Sequence, residues 1–396
     1  MAWRGGKMRS GKEESGEGGR GACRMKGMST GRKSVAVGLS GGVDSSVAAW
    51  LLKRDGWHVT GLTMSIWDGS VAIPDLGISG CYGPGEARDL EAAKEIAARI
   101  GIEHRVIDLA GDYKNVVLDY FREEYLAGRT PNPCVRCNQR MKFGFLLEAA
   151  RAQGVEFEKF ATGHYARVGF DAASGRWQLR RGKDEGKDQS YFLSRLKQEQ
   201  LKDLVFPLGE LRKGEVKGIA RGLGWSDLAE KGESQDFIEC DDYSVLFRKG
   251  DAKPGDFTTR EGKVLGRHRG IIHYTIGQRK GLELGGGGTP WHVLEIDAAR
   301  NRVVVGPQAE LQTRGLVAGD LSWVAWAGAP AAPVRCRVQI RQRHKAAAAT
   351  VTAAEGGRLE AEFDEPQLSV TPGQVAVFYD GEAVLASGTI EKPRQI

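Results

Sequence analysis

The stretch "VAVGLSGGVDSSVAAWLL" (Val35–Leu52) decides the fold. A short apolar run gives way at once to a Gly-Gly turn crowded with hydroxyls, and then to an apolar helical pattern. Glycine loses more backbone freedom on folding than other residues, so this turn carries an entropic cost. A strand that ends in such a turn at a helix N-terminus offers unpaired N–H groups and the positive end of the helix dipole, which together form an anion site. Gly41 and Gly42 let the backbone approach a phosphate, while Ser40, Ser45 and Ser46 add hydroxyl donors. No lysine follows as in G-x-x-x-x-G-K-[ST], and G-x-G-x-x-G is not met, so a Walker-type NTPase is disfavoured.

Outward from this turn, strands and helices alternate to about Gly163. Strands are expected at 34–39, 58–67, 103–109 and 159–165. Helices are expected from the turn to about Asp55 and over 86–101, the latter stopped by Gly101. This alternation implies an α/β fold, a parallel sheet with helices on both faces. After about Gly232 the pattern becomes short alternating strands, as in "NRVVVG" and "PVRCRVQIRQRH", which suggest two small β-barrels. The expected domains are 34–232, 233–307 and 308–396, with 281–290 ("GLELGGGGTP") as a mobile loop.

The chain has 396 residues, is 41% hydrophobic and carries a formal charge of +6. It has no run of about 18 apolar residues, so no membrane span is expected. Residues 1–33 hold nine Lys/Arg and three Glu, and account for the whole excess. An RNA-binding argument must therefore rest on local patches. This basic tail is expected to be disordered, with Met25 or Met28 as alternative starts. It has no signal-peptide core, and its glutamates argue against a transit peptide. The six cysteines, Cys23, Cys81, Cys134, Cys137, Cys240 and Cys336, do not suggest a disulfide scaffold, and fit a reducing cytoplasm.

"GRTPNPCVRCNQRMKFG" (Gly128–Gly144) is the second informative stretch. Two thiols stand at i and i+3 just before a helix, where a dipole lowers a thiol pKa and favours the reactive thiolate. Structural zinc needs four ligands, and a second C-x-x-C is missing. A redox pair and a cluster-binding pair both remain open on the residues alone.

The segment SGGVDSS resembles the pyrophosphate loop of the N-type ATP pyrophosphatases. Together with "TPNPCVRCN", "ATGHYAR", "GKDQSYFL", "ESQDF", "GRHRGIIHYTIGQRKGL" and "TPGQVAVFY", it makes the chain resemble the tRNA-specific 2-thiouridylases (MnmA/TrmU) over most of residues 34–390. The resemblance implies ATP with Mg²⁺ held by Gly38, Leu39, Ser40, Gly41, Gly42, Val43, Asp44 and Ser45, with Met64 near adenine and Gly163 closing the site. It implies adenylation of the C2 oxygen of a wobble uridine, then sulfur transfer from a persulfide. Cys137 matches the nucleophile. Asn132, Pro133, His164, Lys187, Asp188, Gln189, Arg341, Gln342 and Gln374 match tRNA contacts. The implied partners are tRNA and a sulfur donor such as a cysteine desulfurase or a sulfur-relay protein.

Two positions depart from the family pattern. Cys134 stands where many members carry Asp, and Cys240 lies two residues beyond the usual second cysteine, whose place Ile238 takes. Two readings follow: Cys134 and Cys137 act as persulfide and resolving thiols, or Cys134, Cys137 and Cys240 hold a [4Fe–4S] cluster with an open iron. Cys81, in "SGCYGPGEA", is a further thiol near the site, read as a loop residue.

In "PVRCRVQIRQRH" Val334, Cys336, Val338 and Ile340 are expected to face the barrel core. Arg335, Arg337, Gln339, Arg341 and Arg343 are expected outward, as a stripe that could track phosphates. His268 reads as a structural hydrogen-bonder. Another loop-sharing enzyme, such as a tRNA lysidine synthetase or argininosuccinate synthase, would not need the thiols. A non-catalytic Fe–S or zinc RNA-binding protein would not need Ser40 or Asp44.

Overall fold

The computed structural model describes residues 33–75, 77, 80–232, 236–285 and 290–394. The expected tail with Cys23, Ser234 and Gln235 of "ESQDF", and the glycine run 286–288 lie outside the described residues.

Strand Ser34–Gly38 is the centre of a five-stranded parallel sheet. The order is Glu103–Asp108, His58–Ser65, Ser34–Gly38, Lys159–Ala161, Leu204–Val205. Val35, Ala36 and Val37 are buried on both faces, as an uninterrupted apolar run in a parallel sheet requires. Helix Val43–Arg54 follows at once and buries Val43, Val47, Ala48, Leu51 and Leu52. Helix Glu86–Ile100 ends at Gly101, which adopts φ 71° as a left-handed cap. From the central strand the chain winds first to one side, through His58–Ser65, and later to the other, through Lys159–Ala161. That reversal leaves a crevice at the carboxyl ends of these two strands, where open α/β sheets bind ligands.

The strands are shorter than the apolar runs suggest. The first ends at Gly38, the second at Ser65, the third at Asp108, and the fourth at Ala161 where 159–165 was expected. After Ala161 the backbone leaves the sheet because Gly163 is pressed against the phosphate turn. A Cβ there would lie 2.6 Å from the Ser45 nitrogen.

Strands Ala166–Asp171 and Arg176–Arg181 form a hairpin that joins the C-terminal sheet through Ala383 and Arg180. That sheet closes on itself. Gln312–Trp323 pairs with both Arg358–Leu368 and Ala383–Arg394, so six strands make a barrel. Between the two lies a four-stranded mixed sheet, in the order Val264–His268, Gly255–Thr258, Arg302–Gly306, His292–Asp297. His268 is buried there, with one ring nitrogen on the Asn301 carbonyl and the other accepting from Gly270 N–H.

Along Val334–Gln339 the expected alternation holds for the buried Cys336 and Val338 and the exposed Arg335 and Arg337. It fails at Gln339, which is buried. Its amide nitrogen donates to the carbonyls of Arg341 and Gln342, and its oxygen accepts from Arg181 of the hairpin. The barrel also reaches the cysteine loop. Gln374 Nε2 donates to the carbonyls of Thr130 (3.1 Å) and Pro131 (3.0 Å), and Thr130 N–H donates to the Pro372 carbonyl (2.9 Å).

Gln374→Ala should therefore loosen the loop from the barrel. Two hydrogen bonds at about 0.5–1.5 kcal/mol each predict a loss of about 1–3 kcal/mol in urea unfolding. Amide exchange should accelerate over residues 130–137 and stay unchanged in the barrel strands. Unchanged exchange over 130–137 would show that the barrel does not hold the loop.

Candidate active site

The phosphate turn is built as its glycines require. Gly41 adopts φ +69°, and a Cβ there would meet Ala92 Cβ at 2.8 Å, so no larger residue fits without a shift. Gly42 caps helix Val43–Arg54 with extended backbone and no side-chain capping bond, which leaves its first-turn amides for another acceptor. The Ser45 hydroxyl lies 3.2 Å from both the nitrogen and the hydroxyl of Ser40. Ser46, expected as a donor, is fully buried and gives its hydroxyl to the Gly42 carbonyl at 2.8 Å. Its role is inside the helix. Met64 is half-buried on the neighbouring strand, where Met64 and Ile107 are in register near the carboxyl end.

One short turn, Thr162–Tyr165, joins this anion site to the cysteines. Gly163 packs on the backbone of Asp44 and Ser45. The Tyr165 hydroxyl donates to Asp44 Oδ1 at 2.7 Å. His164 is buried, shares a 2.7 Å hydrogen bond with Thr162 Oγ1 and lies 5.9 Å from the Phe143 ring. Phe143 belongs to the helical stretch Cys137–Phe145, so the turn touches both halves of the site. Burial, aided by the Lys142 ammonium, holds His164 well below the ordinary imidazole range, and so it is neutral at pH 7.

Asn132 caps the cysteine helix: its side chain accepts from Val135 N–H at 3.1 Å, with Pro133 at the first position. The segment from Cys137 to Phe145 is wound as a π-helix, a rare form that is frequent at functional sites. Its widened turns include Asn138, a buried residue whose Oδ1 has no hydrogen-bond partner among the described residues. The thiols depart from the expectation of a dipole-lowered pKa. Burial lifts Cys137 to about 11, against the pull of Lys142, and lifts Cys134 further. Desolvation outweighs the helix terminus here, and both thiols rest protonated.

The third thiol beside this pair is Cys81. It raises the proton affinity of both Cys134 and Cys137, and all three thiols act on buried Tyr113. Tyr82, next in the chain, stacks on Tyr113 at 5.4 Å. Cys240 is turned elsewhere: it is buried, donates to the Asp242 carbonyl at 3.3 Å, and feels Asp236, Asp241 and Asp242 rather than the other thiols. Among the described residues no group of three or more His, Cys, Asp or Glu is placed to hold a metal ion. Cys134, Cys137 and Cys240 therefore do not form a cluster donor set in this structure.

The residues matched to tRNA contacts divide by what they touch. Asp188 is buried by its own turn, accepting from Gly182 N–H, Ser190 N–H and hydroxyl, and Arg181. Gln189 accepts from Tyr165 N–H, and Gln374 holds the cysteine loop. Lys187 is half-buried in the same turn as Asp188. Arg341 donates to the Leu368 carbonyl, while Gln342 keeps a buried Oε1 without a partner among the described residues. On the arginine face Arg335 pairs with Asp364 at 2.5 Å and Arg337 donates to the Ala346 carbonyl.

The sequence reading passed over Lys213. It is the first residue of helix Lys213–Gly222, only 9% exposed, and its ammonium lies 2.8 and 2.7 Å from the two Asp44 oxygens. A cation at a helix N-terminus opposes the dipole, so its placement in "LRKGEV" signals a nearby anion. A parallel sheet with a phosphate turn at its switch point and thiols one turn away defines an ATP pyrophosphatase-type domain that carries thiol chemistry. Family models agree with this architecture: a tRNA methyl transferase HUP domain over residues 33–240, a tRNA methyl transferase PRC-barrel domain over 244–307, and an aminomethyltransferase beta-barrel domain over 313–390. A tRNA-specific 2-thiouridylase MnmA from Endomicrobium trichonymphae is 45% identical over 90% of this chain and 98% of its own length. Another, from Moorella thermoacetica, is 44% identical over 91% of this chain and 100% of its own length. The chain belongs to the tRNA-specific 2-thiouridylase family.

Because Cys137 is protonated at rest, its alkylation by iodoacetamide should rise about tenfold per pH unit between pH 7 and 10, following the thiolate fraction. The rate should have no plateau in that range. A plateau below pH 9 would mean that a neighbouring charge overcomes burial.

Proposed function

We propose that this protein uses ATP to convert a tRNA uridine to 2-thiouridine, releasing AMP and pyrophosphate. The observation that carries this reading is the turn Thr162–Tyr165, which touches the phosphate turn through Gly163 and Tyr165 and the cysteine helix through His164. An enzyme that must activate an oxygen with a nucleotide and replace it with sulfur needs those two sites in contact. Family membership supports the tRNA uridine as substrate. The methyl-transfer wording of the family models does not account for the phosphate turn or the thiols.

The chemistry runs in two stages. The uridine O2 attacks the α-phosphorus, the bond to the bridging oxygen breaks with its electron pair leaving on pyrophosphate, and the N3 proton passes to solvent. A base must leave its stack for such a reaction, and Asn132 and Pro133, which open the cysteine helix, are the residues proposed to meet it. Asp44 is the carboxylate suited to Mg²⁺, which would neutralise phosphate charge. A donor of the cysteine desulfurase or sulfur-relay class loads Cys137 with a sulfane sulfur. The terminal sulfur then forms a bond to C2 as AMP leaves. A second thiol attacks Cys137 Sγ, freeing the thiouridine sulfur and forming a disulfide, which an external dithiol reduces.

Cys134, three residues before Cys137, is the proposed second thiol for that last step, with Cys81, which acts electrostatically on both, as the other candidate. Arg341 and Gln342 on the barrel, with Lys187 and Gln189 on the hairpin side, form the tRNA face. The proposed domain division at about 233 and 308 is supported by the separate sheets within 255–306 and 312–394, although Asp236–Ile238 still pairs with Gly80–Tyr82 and the hairpin 166–181 joins the C-terminal sheet. Among the described residues no helix is long and apolar enough to cross a membrane, and a cytoplasmic setting fits free thiols.

Single-turnover thiolation of a tRNA transcript with a preloaded persulfide tests this reading. Cys137→Ser should abolish product and AMP release while leaving pyrophosphate release intact, since AMP departs only when sulfur reaches C2. Cys240→Ser should keep thiolation within about threefold of wild type, since its Sγ is engaged with Asp242. Loss of product in Cys240→Ser, with iron bound to wild type, would restore the cluster reading. No AMP release by wild type would overturn the function itself.

A further inference from the structure

The π-helical stretch Cys137–Phe145 carries a charge that its own contacts do not explain. Lys142 is half-buried, and its ammonium makes no hydrogen bond or ion pair with any described residue. A partly desolvated cation without a partner is costly, so it points to an anion that arrives from outside the chain. Its position follows from the winding. In an α-helix the neighbours on one face stand three and four residues apart. In a π-helix the hydrogen bonds close over five residues, so Lys142 stacks one turn beyond Cys137. Gln200, in helix Gln198–Leu201, supports that winding. Its Nε2 donates to the carbonyls of Gln139 (3.0 Å) and Phe143 (2.8 Å), and its Oε1 accepts from Lys197 N–H. At Cys137 burial dominates, and the Lys142 charge is the main influence opposing it. The same charge acts on Cys134, on Cys81 and on His164 of the turn Thr162–Tyr165. Lys142 is thus a cation shared by all three thiols.

We propose that Lys142 is a catalytic residue for sulfur transfer, its ammonium stabilising the anionic sulfur carried by Cys137. This rests on the thiolation reading above. At rest Cys137 is a thiol and the ammonium has no partner. Loading adds a sulfane sulfur, and the ammonium pairs with its anionic form. The terminal sulfur then bonds to C2 while the electron pair of the C2–O2 bond leaves with AMP, and Lys142 keeps its proton throughout. The other titratable groups around Cys137 offer little competition. Cys134, Cys81 and Tyr113 hold their protons, and His164 is neutral. Asp236, on the strand paired with Gly80–Tyr82, is tied to the Tyr243 hydroxyl.

Two measurements on the full chain test the assignment, each on wild type, Lys142→Met and Lys142→Arg. The first is iodoacetamide alkylation of Cys137 from pH 7 to 10, followed on its peptide by mass spectrometry. Removing a nearby opposite charge raises a thiol pKa by about one unit, and the more basic thiolate regains part of its reactivity. Lys142→Met should therefore react about threefold more slowly at every pH, with the slope unchanged. The second is single-turnover thiolation with preloaded persulfide, which should fall about tenfold or more in Lys142→Met while pyrophosphate release stays within about threefold. Lys142→Arg should restore both rates. Unchanged alkylation in Lys142→Met would overturn the proposal. So would parallel loss of pyrophosphate release and thiolation, which would put Lys142 at the nucleotide or in the fold. If Lys142→Met does not fold, Lys142→Gln carries the same comparison. Gln200→Leu, which removes both carbonyl bonds, should also slow alkylation of Cys137, and an unchanged rate there would overturn the role of the winding. Failure of wild type to thiolate tRNA would instead overturn the thiolation reading itself.

Discussion

The contact on which the site depends is the approach of Gly163 to the backbone of Asp44 and Ser45. A Cβ on Gly163 would fall 2.6–2.7 Å from main-chain atoms of the turn, so the two loops can meet only because that residue has no side chain. The contact sits where the parallel sheet changes winding direction, so the loop after one strand meets the loop after the next. With Gly163 fixed, its neighbours have little choice. Tyr165 must reach Asp44, and His164 must turn inward against Phe143 and Phe206. Nucleotide and sulfur chemistry are thus joined by four residues.

Electrostatics at the site are governed by desolvation more than by helix ends. Both loop cysteines stand near a helix start, yet burial raises their proton affinity, and Lys142 only moderates the effect. A protonated resting thiol suits an enzyme that must not react with stray electrophiles before its substrates arrive. The same balance keeps His164 neutral, which lets it pack among aromatic rings without an unpaired charge. On the phosphate side the logic is reversed. There Asp44 and Lys213 are both charged and meet directly, the arrangement that makes a partly buried pair tolerable.

The C-terminal barrel also holds the cysteine loop in place. Gln374 and Pro372 grip the chain just before the cysteines, Tyr191 donates to the Val375 carbonyl, and Arg195 pairs with Asp320. Gln374, which resembles an RNA contact by position, is engaged in this stitching, and Asp188 is engaged within its own turn.

The amino-acid sequence alone determined the α/β class, the helix after the phosphate turn, the left-handed stop at Gly101 and the alternating barrel strand with buried Cys336. Each is a local matter of periodicity or of one residue's backbone freedom. It also marked the two loops that carry chemistry, because Gly-Gly with hydroxyls and N-P-C-x-x-C are unusual within a few residues of chain. Tertiary structure alone decided which distant groups meet. Lys213 lies 169 residues from Asp44, Cys81 in strand Gly80–Tyr82 acts electrostatically on Cys134 and Cys137 of the cysteine helix, and Cys240 turns away to Asp242. Charge pairing and desolvation depend on separation in space and on burial. A linear pattern specifies neither until the sheet has brought its loops together.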